Sequence, residues 1–359
     1  MRAVSPALCA LLLHFLVGCG ERALPAPAVN SREFLPQQPP AVRWVFRTGG
    51  VVGASPVIAD GTVFFGSWDE HMYGVDALTG TLRWSHHLEG GTAAPPLYTP
   101  TALICASLGG ALLGLSPETG EELWRLPLPE GAPGFPTISG GVIYIGGESG
   151  LLAIDTAGGT VLWSFGTGGP VTAAPAVHSG TVYAACHDGA VRAHDASSGR
   201  IRWVFQTRAP VLSGPAVGDG DVFFGSSDSC VYSLETGTGD LNWVFETMGP
   251  VTASPVLSED LVLVGSVDNR MYAIDRESGE EVWRYATDGW IWSAPAVVGG
   301  TAVFGSYDGC LYAVNIQTGR EAWSLHTEEM IHSTPAAAPG ILCFGSLDGG
   351  LYALEMPTP

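Results

Sequence analysis

The chain of 359 residues contains no lysine; all 15 of its basic residues are arginine. That rules out Schiff-base chemistry on a lysine amine and a phosphate-cradling P-loop, both of which need this side chain. Charge of either sign is scarce, at 14% of residues against 46% hydrophobic. A disordered chain shows the opposite balance, so there is ample material for a large core. The charge that is present is mostly acidic, giving a formal net charge of −20. Nucleic-acid binding rests on basic neutralisation of phosphates, so nucleic acid is not an expected partner, and adsorption to anionic lipid is opposed. Strong helix formers do not dominate either: 49 Gly and 26 Pro fill about a fifth of the chain, which argues against an extended all-α architecture.

Long apolar runs are confined to the start. Arg2 is followed by an apolar stretch over residues 7–17, the pattern of an export leader and too short for an ordinary spanning helix. It ends Leu16-Val17-Gly18-Cys19, which resembles the lipobox of bacterial lipoproteins and implies cleavage before Cys19 and lipidation of its thiol. Gly20 stands where an inner-membrane retention signal would place Asp, so the expected address is the periplasmic face of the outer membrane in a Gram-negative cell. Residues 21–40 are polar and Pro-rich (Pro25, Pro27, Pro36, Pro39, Pro40) and read as a semi-extended tether. The expected organisation is a signal peptide over 1–18, a lipidated tether over 19–41, one domain over 42–355 and a tail over 356–359.

That domain is built from repeats. Trp recurs at 44, 84, 124, 163, 203, 243, 283 and 323, and a proline stands twelve residues after each, from Pro56 to Pro335. The single spacing of 39 reflects a residue missing near Glu148-Ser149-Gly150. Each unit holds four short β-type runs; in the seventh these are expected at 291–298, 302–306, 310–314 and 321–327. Asp-Gly and Thr-Gly pairs between the runs are hairpin punctuation, because Gly reaches positive φ freely. Eight such units predict an all-β, eight-bladed β-propeller of four-stranded antiparallel blades. Only three runs follow Trp323, so the strand at 42–47 is expected to complete the last blade and close the ring.

Motifs such as Tyr272-Ala273-Ile274-Asp275 followed by Ser278-Gly279-Glu280-Glu281-Val282-Trp283 resemble the PQQ-type propeller repeat and its tryptophan girdle. The resemblance implies that Trp44, Trp84, Trp124, Trp163, Trp203, Trp243, Trp283 and Trp323 are structural. It further implies that each packs on a small residue of a neighbouring blade, with Ala153, Ala193, Ala273, Ala313 and Ala353 as candidates.

Catalytic sets are not evident. Quinone-dependent dehydrogenases that share the repeat are much longer, insert a calcium-binding set and typically carry two adjacent cysteines. Here no two cysteines are adjacent and no long insert interrupts the register, so neither PQQ nor another cofactor is expected. Asp69, Asp188, Asp228, Asp268, Asp308 and Asp348 share one hairpin column and read as turn caps on separate blades. Cys186, His187 and His194 lie close together, but a structural zinc site wants four ligands and no fourth is evident, so no metal is expected. Arg192 and His194 interrupt columns of Tyr or Leu and of apolar residues, and read as a polar pair at a blade surface. Beyond Cys9 and Cys19 five cysteines remain, an odd number that leaves at least one unpaired within the chain; buried unpaired thiols are expected. No Ser-His-Asp or Cys-His constellation can be assembled.

The copies differ most on one face. In a four-stranded antiparallel blade the second hairpin shares an end with the connection into the next blade. Three residues before the proline stand Gly53, Ala93, Pro133, Thr172, Leu212, Thr252, Trp292 and His332; two positions earlier the seventh and eighth units carry Trp290 and Met330. The hairpin column adds Trp68, Tyr307 and Leu347. Trp68, Trp290, Trp292, Tyr307, Met330, His332 and Leu347 therefore fall on three neighbouring blades, and aromatic and Met residues gathered on a rim have the composition of an interaction patch. An alternative role for Trp290 and Trp292 is to plug the channel mouth.

An exported lipoprotein consisting of one such propeller resembles the BamB family of scaffolds in outer-membrane β-barrel assembly. This implies a non-catalytic role, envelope-protein partners including the barrel-assembly insertase, and membrane attachment through lipid alone. A propeller binding a small ligand or polysaccharide is the alternative, and a quinone enzyme a more remote one.

Overall fold

The computed structural model describes residues 38–128, 134–156, 159–218 and 220–357. The leader, Cys19, most of the tether and Pro133 lie outside these residues. Among the described residues no helix occurs, and the strands form eight separate four-stranded antiparallel sheets arranged as a ring. Blade 1 comprises Val57–Ala59, Thr62–Ser67, His71–Asp76 and Leu82–His87, ordered from the axis outward. Six further blades repeat this order along the chain. Blade 8 takes Ala336–Ala338, Ile341–Gly345 and Gly350–Glu355 from the C-terminal end and Val42–Arg47 from the N-terminal end. Trp44 pairs with Ala353 and Phe46 with Leu351, so the ring closes through backbone hydrogen bonds between the two ends of the domain.

The inner strands are shorter than the sequence pattern indicates. In blade 7 the first strand is Ala296–Val298, and 291–295 is irregular, while the others span Thr301–Gly305, Cys310–Asn315 and Glu321–His326. Pro295 has no N–H to give to a ladder, so pairing begins after it. The missing residue of the third unit shortens the hairpin between Val142–Gly146 and Gly150–Asp155.

Second strands are apolar on both faces because each blade is covered by a neighbour on either side; all six residues of Thr62–Ser67 are buried. The core is divided into eight clusters, each at a junction between adjacent blades. At the junction of blades 4 and 5, Tyr183, Ala193 and Trp203 meet Val222, Phe224 and Leu234. At the closure, Ile341, Cys343 and Ala353 of blade 8 meet Val63, Phe65 and Val75 of blade 1.

The repeated tryptophans stand on the outer strands, each just after a register shift such as that between Ala193 and His194. The small residue opposite each Trp lies in the same blade, not a neighbouring one: Ala153 faces Trp163, Ala193 faces Trp203, Ala273 faces Trp283 and Ala313 faces Trp323. The reason is that the outer strand pairs with the third strand of its own sheet. For Trp44, Trp84, Trp163, Trp203, Trp243 and Trp283 the contact with the next blade is made by a glycine in that blade's Thr-Gly or Ser-Gly turn. A Cβ on Gly239 would lie 2.6 Å from Trp203, and one on Gly80 would lie 2.6 Å from Trp44. Six indole N–H groups, those of Trp44, Trp84, Trp163, Trp203, Trp243 and Trp283, donate to a carbonyl 33 residues ahead at 2.5–3.1 Å.

Candidate functional site

The face carrying the second hairpins and the blade-to-blade connections, here the top face, is held by repeated hydrogen bonds. Thr287 Oγ1 donates to the Gly289 carbonyl at 2.7 Å, and the Asp288 amide donates to Asp308 Oδ2 at 3.0 Å. The hairpin aspartate also accepts from the amide two residues on, as Asp308 Oδ1 does from Cys310 at 2.9 Å, and from a tyrosine hydroxyl four residues on, as from Tyr312 at 2.9 Å. Burial and the adjacent carboxylate push the Tyr312 phenol far above its ordinary range. In blade 4 Arg192 occupies the tyrosine position and binds Asp188 at 2.5 Å.

This frame sets which way the connection side chains point. Ile291 is fully buried, and a Cβ on Gly265 would lie 2.4 Å from its Cγ2, so glycine in the second strand of blade 6 makes room for it. The Ile291 amide donates to the Ser266 carbonyl, and the Trp290 carbonyl accepts from the Tyr307 amide at 2.9 Å. With Ile291 turned inward, Trp290 and Trp292 remain part exposed on the other side of the extended segment. Ile331 and Gly305 repeat this arrangement one blade further on.

The variable residues of blades 7, 8 and 1 meet. Trp292 stacks on Tyr307 with ring centres 6.2 Å apart and planes at 13°, while Trp290 lies 5.9 Å from Tyr307. His332 is 6.0 Å from Trp292 and 6.1 Å from Tyr307. Its Nδ1 is 3.3 Å from the Gly53 carbonyl; a carbonyl only accepts, so Nδ1 carries the hydrogen. Leu347 and Trp68 both flank Gly53, and the Leu347 amide donates to the Met330 carbonyl at 2.9 Å. Trp68 and Met330 are the most exposed of the seven, at 36% and 37%. Burial raises the Tyr307 phenol and lowers the His332 imidazole, which favours their neutral forms.

The same columns on blade 4 bring Thr172 Oγ1 and His187 Nε2 to 2.8 Å, a polar pair with no indole or phenol. Cys186, His187 and His194 are engaged separately. Cys186 Sγ donates to the Gly169 carbonyl at 3.1 Å in a column otherwise mostly of serine. His194 is fully buried, not at a blade surface, because both faces of a third strand are covered; it packs against Phe165 at 4.7 Å. Among the described residues no group of three His, Cys, Asp or Glu is placed to hold a metal ion. Cys105, Cys186, Cys230, Cys310 and Cys343 are unpaired thiols; three are buried and Cys230 and Cys310 half-buried.

Sequence reasoning passed over the acids bordering the aromatic cluster. Asp288, Glu328 and Glu329 are exposed and make no ion pair with a described residue. Their signal was present, since Asp288 and Glu328 both stand five residues after a repeated Trp.

The profile of the family described as outer membrane protein assembly factor BamB matches residues 38–134, 147–254 and 227–358. A protein named outer membrane protein assembly factor BamB from Nitrosomonas eutropha is 38% identical over 88 residues, 24% of this chain and 21% of that protein. The polyvinylalcohol dehydrogenase of Sphingopyxis sp. is 26% identical over 152 residues, 34% of this chain and 23% of that protein. The chain thus aligns with less than a quarter of the length of either relative. Among solved structures, BamB from Moraxella catarrhalis superposes with a TM-score of 0.74 at 18% identity, covering 88% of this chain and all of that one. A europium-containing methanol dehydrogenase superposes with a TM-score of 0.77 at 14% identity, covering 90% and 95%. A computationally designed protein, Ika8, gives 0.80 at 18% identity, covering 89% and 100%. These likenesses establish the propeller fold.

Proposed function

The chain belongs to the family of the outer membrane protein assembly factor BamB, and on that premise we propose that it is a non-catalytic scaffold of outer-membrane protein assembly. In this reading Cys19 carries the lipid, residues 19–41 tether the propeller at the periplasmic face of the outer membrane, and the top face holds an envelope protein. The observation that carries it is the gathering of Trp68, Trp290, Trp292, Tyr307, Met330, His332 and Leu347 in one sector of the top face. Part-exposed aromatic residues on a rigid frame bury large areas at little entropic cost, which suits a protein-binding anchor.

The partial likeness to polyvinylalcohol dehydrogenase supports a second reading as a quinone enzyme. The residues present do not supply the expected set. No two cysteines are adjacent, and no described acid cluster has a metal-ligand arrangement.

The test is affinity purification of a C-terminally tagged protein from photo-cross-linked native membranes, since the chain offers no lysine to amine-reactive reagents. Recovery of the barrel-assembly insertase with the parent protein, and its loss with Trp292→Ala and Tyr307→Ala variants that still fold, is the expected result. Unchanged recovery with both variants would contradict it.

A further inference from the structure

We propose that the aromatic sector of the top face receives a basic segment of its partner protein, with arginine or lysine side chains laid on the Trp and Tyr rings and the carboxylates of Asp288, Glu328 and Glu329 bordering them. This rests on the docking reading above and names the chemistry of what docks.

Four observations converge. Trp290, Trp292 and Tyr307 are clustered and part exposed, and an indole face is the strongest side-chain partner for a cation. The three carboxylates are exposed on the same connecting segments, Asp288 two residues before Trp290 and Glu329 next to Met330, without an ion-pair partner among the described residues. In the column of Asp288 and Glu328 the other blades carry Gly49, Gly168, Arg208 and Met248, with Glu89 the one further acid among the described residues, so the charge is concentrated in the aromatic sector. Arg47 is committed to Asp348 at 3.0 Å, and His332 is turned to the Gly53 carbonyl through its Nδ1–H.

Hydrogen-bonding capacity gives the fourth. Six girdle indoles donate to carbonyls, whereas the indole N–H groups of Trp68, Trp290 and Trp292 and the hydroxyl of Tyr307 reach no acceptor among the described residues. A peptide in extended conformation brings a carbonyl at every residue to meet such donors, while its basic side chains meet rings and carboxylates. With a net charge of −20, the whole molecule also favours the approach of a cationic segment.

The test uses the purified full-length protein and calorimetry with a capped hexapeptide alternating Arg and Leu. A Glu-Leu counterpart and a linear glucose hexamer serve as competing chemistries. The Arg-Leu peptide is expected to bind, to weaken at least about tenfold between about 50 and 300 mM salt, and to weaken at least about tenfold in the triple variant Asp288→Asn, Glu328→Gln, Glu329→Gln. These side chains are exposed, so the triple variant should melt like the parent. Equal binding of both peptides, parent-like binding by the triple variant, or binding of the glucose hexamer alone would overturn the proposal. In the membrane purification, partner recovery lost with Trp292→Ala but retained by the triple variant would overturn the basic segment and leave the docking face standing. Recovery retained by both would overturn the docking face itself.

Discussion

A single position in a repeat shows what a residue is worth by comparison with its column. The position of His194 holds Val75, Leu115, Ile154, Leu234, Ile274, Val314 and Leu354 in the other blades. The histidine gives one hydrogen to the Gly199 carbonyl at 3.0 Å, but its buried Nε2 has no partner. An unsatisfied buried polar atom costs about 1–3 kcal/mol, more than the single hydrogen bond returns. Burial also holds the imidazole below its ordinary 6.5, so as pH falls below that value the unfolded chain binds more protons and folding is weakened. His194→Leu is therefore expected to stabilise the fold by about 1 kcal/mol near pH 7.5 and by more near pH 5. Urea denaturation at both pH values checks this; a variant with unchanged acid sensitivity would show that His194 does not set it. Arg192, one pleat away, is a substitution of a different kind, since its guanidinium replaces the tyrosine hydroxyl on the hairpin aspartate.

Between elements, the joint that repeats is a tryptophan against a turn glycine of the next blade. Gly239 has φ of +75° and lies under the Trp203 ring. Alanine there meets both the left-handed backbone penalty and a clash, so Gly239→Ala should cost about 2–5 kcal/mol. Ala193→Gly, which changes only the small residue within the blade, should cost less, about 0.5–1 kcal/mol. Thermal melts of the two variants decide between the cross-blade and within-blade contacts, and equal losses would contradict the assignment. The sequence made this architecture legible because the Trp and Pro columns keep register through eight copies, and the closure followed from counting strands after Trp323. It did not reveal which blade each Trp leans on, because spacing orders strands along the chain without saying which faces meet. His194 was misplaced for a similar reason: a polar residue in a strand reads as surface until both faces of the blade are seen to be covered. The aromatic sector was legible as departures from columns. Its bordering acids were not, because carboxylates in turns are ordinary solvated residues until their neighbours are known.

At the scale of the molecule, the tryptophan and proline columns repeat round the ring, while blades 7, 8 and 1 depart together from the columns of the top face. Blades 7, 8 and 1 carry three indoles and a phenol where blades 4 and 5 carry Thr172, His187, Leu212 and Ser227. The closure of the ring makes this a patch, since Trp68 and Leu347 stand far apart in sequence yet both flank Gly53. A rigid closed disc with one distinct sector orients whatever binds there, which fits a scaffold better than a symmetric ring would. The most direct test places a photo-cross-linking amino acid at position 307 and, in a separate protein, at the equivalent hairpin position 227 of blade 5, outside the aromatic sector. On irradiation of native membranes the account predicts one discrete adduct from position 307, identified by mass spectrometry as the barrel-assembly insertase, and none from position 227. Adducts of equal yield from both positions, or none from position 307, would contradict it.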